Sequence, residues 1–227
     1  MKKVFKVFIV FILLYIINNI YFNNRKICYT TYYSPKYNNE SFDLTPIKDW
    51  NVSNVEDMKS MFHGREIIDL TPMKDWNTSN VTNMEEMFSE NTLLTNLNGL
   101  NNWDTSKVTN MKRMFNGNAL LTNLNGLDNW DTSKVTDMNA MFWGNTSLTN
   151  LNGLNNWDVS KVQDFESMFY NCNNISDASA INNWNIISAN AGNSGNKFDH
   201  MFYEVPTHPE FIKRNGRWDS YGTFYAD

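Results

Sequence analysis

Cysteine is nearly absent from this 227-residue chain, which holds only Cys28 and Cys172. That excludes a disulfide-rich scaffold and any multi-cysteine zinc site. Histidine is almost as scarce, and His63, His200 and His208 share no metal-ligand spacing of the His-x-x-x-His kind. There is no glycine-rich phosphate loop, no Gly-x-Ser-x-Gly and no cysteine with a nearby histidine, so no cofactor and no nucleophile is signalled. Charged residues make up only 19% of the chain, and the basic ones are unevenly placed. Lys2, Lys3, Lys6, Arg25 and Lys26 lie within residues 1–28, which hold no acid; the remainder carries 14 basic and 24 acidic side chains. An acidic body without a basic stripe disfavours phosphate-backbone contacts, so no nucleic-acid partner is expected. Also missing is any Ala, Gly or Ser before Ser34, the small residues that signal peptidase needs just before its cut.

The N-terminus itself is basic, then apolar. An uncharged stretch of 18 residues runs from Val7 to Asn24, just long enough to span a bilayer. With no small residues for cleavage, residues 1–24 are expected to stay as an uncleaved signal-anchor, a transmembrane helix. Secretion after cleavage is the alternative. Three lysines on the N-terminal flank against Arg25 and Lys26 on the other place the body outside the cytoplasm. Cys28 lacks the small residue that a lipid-modified cysteine would have before it. Residues 25–41 follow as a juxtamembrane linker and N-terminal cap.

The body repeats. Trp50, Trp76, Trp103, Trp130, Trp157 and Trp184 are spaced 26, 27, 27, 27 and 27 residues apart. Apolar residues recur six and three positions before each Trp, as in Leu124 and Leu127 before Trp130. A Val recurs five after the first five Trp, as Val135, and a Met-Phe pair closes the unit, as Met141-Phe142. In the sixth copy the pair is Met201-Phe202, displaced by six extra residues within Ile187–Lys197, and Phe198 takes the preceding Met position. A unit this small cannot bury its own apolar face, so the copies must stack. No stretch keeps a helical stripe for three turns, which disfavours paired-helix repeats. The pattern predicts a short strand near Leu124–Leu127, a second near Val135–Met138, and a turn of helix carrying Met141-Phe142. The Met and aromatic stripe is expected to be core.

The string Trp103-Asp-Thr-Ser-Lys-Val108-Thr-Asn-Met111-Lys-Arg-Met114-Phe115, with Leu-x-x-Leu before it, resembles the BspA-like leucine-rich-repeat surface-protein family. The resemblance recurs six times over residues 42–202. It implies a leucine-rich-repeat-like, right-handed solenoid of about six 26–27-residue repeats, made of short strands plus short helical turns, with no catalytic residues. Family members often carry a Cys shortly after Met-Phe. Here Cys172 does, while Gly117-Asn118 and Gly144-Asn145 stand near that place in other copies. Residues 203–227 look like the closing segment of such arrays, whose aromatics would cover the last coil.

Two repeated polar features remain. Asp104, Asp131 and Asp158 follow Trp directly, which suggests calcium, yet Asn51, Asn77 and Asn185 hold the same place. Asn and Asp share the ability to accept a local backbone N–H, whereas only Asp is charged, so the interchange favours turn chemistry. Asn-x-Ser/Thr triplets at Asn51, Asn77 and Asn145 make glycosylation an incidental possibility. Between the repeat leucines runs a polar ladder: Thr95, Asn96 and Asn98, then Thr122, Asn123 and Asn125, then Thr149, Asn150 and Asn152. It is either a ligand-facing surface or an internally hydrogen-bonded Asn ladder that supports the stack. Together these features predict a non-enzymatic, membrane-anchored surface protein. Its function is adhesion-like binding of an unidentified protein or glycan on another cell surface. A surface-coat or spacer protein without a ligand is the alternative, and a glycan-acting enzyme the remote one.

Overall fold

At least two residues in every repeat have a positive φ, and two of them frame the Met-Phe segment and dictate its shape. The first precedes Met-Phe: Glu86 (φ 55°), Arg113 (φ 53°), Ala140 (φ 52°) and Ser167 (φ 57°). The second comes four residues later, at Glu90 (φ 58°), Gly117 (φ 74°), Gly144 (φ 75°) and Asn171 (φ 58°). A left-handed residue stops helix propagation, so the Met-Phe segment is a run of turns. The computed structural model describes residues 41–190 and 195–227.

Successive repeats lie in register. From the Met-Phe segment of one copy, alternate N–H groups donate to the next: Met111 to Asp137 O (3.0 Å), Arg113 to Asn139 O (2.9 Å), Phe115 to Met141 O (3.0 Å) and Gly117 to Trp143 O (2.7 Å). Isolated parallel bridges join Asp57, Asn83, Asn110, Asp137 and Asp164 in sequence. Each bridge is one residue long because an Asx turn follows at once, as where Asn139 N–H donates to Asp137 Oδ1 at 2.9 Å.

The core is a set of columns in which equivalent residues of successive repeats stack. Trp103, Trp130 and Trp157 stack with centroids 6.5 and 6.4 Å apart and planes within 3° of parallel. Each indole N–H donates to the carbonyl three residues before the preceding Trp, as Trp130 to Leu100 O at 3.0 Å and Trp157 to Leu127 O at 3.1 Å. The polar edge of a buried ring is thereby satisfied. Phe88, Phe115 and Phe142 form a second column with centroids 5.7 and 5.8 Å apart. Phe198 packs on Phe165 at 5.6 Å, so the sixth repeat regains register after its insertion.

These observations correct the expected architecture. The leucine-rich-repeat-like right-handed solenoid of strands and helical turns is not what the described residues form. Their longest helical element is the four-residue 3-10 turn Ile187–Asn190. Their only two strands, of three residues each, follow the last repeat. Leu124–Leu127 is loop and turn, with one 3.2 Å bond from Leu127 N–H to Leu124 O. Val135–Met138 holds a single bridge residue, Asp137. The helical turn at Met141-Phe142 is excluded by left-handed Ala140 and Gly144 on either side. The transmembrane helix expected over residues 1–24 lies outside the described residues. Among the described residues no helix is long and apolar enough to cross a membrane.

Past the sixth repeat, β1 (Gly216–Trp218) and β2 (Phe224–Ala226) pair as an antiparallel hairpin. Trp218 lies 5.2 Å from Phe202, and Phe224 meets Phe198 edge-on at 5.5 Å. Phe202 N–H donates to Gly222 O at 2.9 Å. This contact is so close that a Cβ on Gly222 would sit 2.2 Å from the Phe202 carbonyl carbon.

Candidate binding site

The Asn-Thr ladder lies along one edge. Thr95, Thr122 and Thr149, with Asn98, Asn125 and Asn152, are exposed, and Asn96, Asn123 and Asn150 are half-buried. The half-buried amides work locally. The Asn123 Nδ2 donates to Thr122 Oγ1 at 3.2 Å, and its Oδ1 accepts the Asn125 N–H at 3.1 Å. Asn96 and Asn150 repeat both bonds. Among the described residues no hydrogen bond joins one ladder amide side chain to that of the next repeat.

A different set of asparagines is buried and bonded between repeats. Asn91, Asn118 and Asn145 are fully buried. The Asn118 Nδ2 donates to Phe88 O (3.1 Å) and Phe115 O (2.9 Å), while its Oδ1 accepts the Asn91 N–H (2.9 Å). Cys172 takes this place one repeat on, its thiol donating to Phe142 O at 3.0 Å. At that changeover the Asn145 Oδ1 is buried without a partner. Burial of Asn145 also removes it as a glycosylation site. The common position of Asn118, Asn145 and Cys172 was visible in the spacing, but nothing in the sequence said that it faces inward.

Among the described residues no three of His, Cys, Asp and Glu are placed to hold a metal ion. Asp104, Asp131 and Asp158 each accept the N–H of the serine two residues on, at 2.9–3.0 Å. Those serines hold the carboxyls below the usual carboxylate range. Burial pushes the Cys172 thiol up to about 12, which leaves it protonated and unreactive. His63 lies 3.9 Å from Glu90, His200 3.2 Å from Asp199, and His208 stacks on Trp218 at 5.0 Å, where burial lowers its pKa.

The residue after each Met-Phe pair generates another edge, which reads His63, Ser89, Asn116, Trp143, Tyr170 and Tyr203. Its second half is an aromatic row. Trp143 and Tyr170 are 5.2 Å apart, Tyr170 and Tyr203 4.7 Å, and Tyr203 continues to Tyr221 of the hairpin at 6.4 Å with planes 3° apart. Trp143 is 38% exposed and Tyr221 60%. Beside Trp143 a groove of about 350 Å³ runs over Gly117 and Gly144, between Glu86, Glu90 and Arg113.

A family model described as "Mycoplasma protein of unknown function, DUF285" matches residues 31–124 and 91–218, across every repeat. The chain belongs to this family. No curated protein and no solved structure matches it. In this DUF285 chain the aromatic edge carried a sequence signal. Trp143 and Tyr170 keep the 27-residue period, and Trp143 is one of two tryptophans outside the repeat position. Only the fold shows that Trp143 stays outside while Met141 and Phe142 point in.

Proposed function

We propose that the chain is a non-catalytic binding protein of the BspA-like kind, displayed at the cell surface and held there by its N-terminal segment. The observation that carries this is the aromatic edge. A stack that buries its Trp, Phe and Met columns almost completely nevertheless leaves Trp143 and Tyr221 open to solvent, in line with Tyr170 and Tyr203. Aromatic side chains held in a row by a rigid backbone offer large contact area at little entropic cost. Neighbouring contacts of this kind add along a surface. The basic and then apolar start of the sequence supports display outside the cell.

Protease shaving of intact cells that express the full chain tests location, and binding of the purified chain to other cells tests function. Loss of the repeats to protease and saturable binding are expected. Repeats protected inside the cell overturn the surface reading. Self-association without saturable binding overturns the ligand and favours a surface coat.

A further inference from the structure

Resting on that binding role, we propose that the groove beside Trp143 takes a neutral oligosaccharide, with a pyranose ring packed on the indole face. Along this edge the side chains change from small and polar to aromatic between Asn116 and Trp143. Bridged neighbours in adjacent repeats stand about 4.8 Å apart, so Trp143 forms a step. Tyr170 covers one side of it and the other lines the groove. The floor at the foot of the step is bare backbone. A Cβ on Gly144 would meet nothing nearer than Gly117 Cα at 3.7 Å, so a flat ring can approach closely.

Charge does not favour an anion here. Arg113 lies 3.5 Å from Glu86, which also accepts the Ser60 hydroxyl at 3.1 Å, and Glu90 has His63 within 3.9 Å. Glu86 and Glu90 outnumber the one guanidinium, which Glu86 already holds, so a phosphate or other anion finds no net counter-charge. What remains is an aromatic face bordered by hydrogen-bonding groups. A pyranose has the complement, a face of C–H groups with partial positive charge and a rim of hydroxyls. The volume of about 350 Å³ suits a small ligand rather than the broad patch of a protein partner.

The test uses the full chain on an array of neutral and sialylated oligosaccharides, followed by calorimetric titration of the best neutral glycan. Binding of a neutral glycan is expected. Trp143→Ala should weaken it at least tenfold and Trp143→Phe should keep most of it, both with melting temperatures close to the parent. No glycan binding, or binding indifferent to Trp143→Ala, overturns the proposal, as does a preference that follows sialic acid charge. Periodate treatment of target cells separates the two levels. Cell binding that survives loss of the glycans sinks the oligosaccharide and leaves the surface-binding role standing. Absence of any cell binding sinks both.

Discussion

Asn118→Leu should destabilise the chain by about 2–6 kcal/mol although Leu nearly matches the volume it replaces. The side chain is fully buried and serves three backbone groups. Phe115 O keeps a second donor, the Asn145 Nδ2 at 3.0 Å. Phe88 O and Asn91 N–H have their bonds from Asn118 alone, at 3.1 and 2.9 Å. A buried donor or acceptor left without a partner costs about 1–3 kcal/mol, and two are orphaned together. Set against a total stability of about 5–15 kcal/mol, that is a large fraction. Asn118→Cys should cost about half as much, because a thiol can donate to Phe88 O as Cys172 donates to Phe142 O at 3.0 Å. Urea unfolding followed by tryptophan fluorescence and circular dichroism measures both variants. A Leu variant within about 1 kcal/mol of the parent, or a Cys variant as damaged as the Leu one, refutes the assignment of this column as a hydrogen-bonding spine.

Gly126→Ala should cost at least about 2 kcal/mol, since φ is +106° and the new Cβ would fall 2.6 Å from Leu97 O. Gly144→Ala should cost only about 1 kcal/mol, because Glu90 and Asn171 adopt the same left-handed conformation at that position. Thermal melts that rank these two glycines the other way contradict the stacking geometry. Asp137→Asn should raise the melting temperature at pH 7. Burial, with Asp164 adding to it, pushes this carboxyl above its usual 3.8, so the folded state binds the proton more tightly than the unfolded one. Stability is then lost as pH rises through that window and is fully present below it. The gain from Asn should accordingly vanish below pH 3.8, and a pH-independent gain would point to packing instead. Changing Asn98, Asn125 and Asn152 together to Lys should leave the fold intact, since all three are exposed and surface repulsion is screened by salt. Ligand binding should also persist, and its collapse would move the site to the ladder edge.

The columns of the core were legible in the sequence because a repeat that stacks in register places like residues on like. Trp103 on Trp130 and Phe88 on Phe115 follow from period alone. The turn role of Asp104 was legible too, through its exchange with Asn at equivalent sites. The strands and the helical turn failed for one physical cause. The left-handed residues that break each segment are Glu86, Arg113, Ala140 and Ser167 as often as Gly or Asn, and ordinary residues give no warning of a positive φ. Without them the Met-x-x-Met-Phe spacing reads as a helical face. The same hidden reversals decide the binding edge. Because left-handed Ala140 and Gly144 enclose the segment Met141-Phe142-Trp143, the chain turns twice within five residues. The turns drive Met141 and Phe142 into the core and leave Trp143 outside. A helix would have set these aromatics about 100° apart around its axis, with no reason for the third to line up with Tyr170. The same reversals recur in the repeats that follow and set their third positions along one edge, and Trp143, Tyr170 and Tyr203 become a row for that reason.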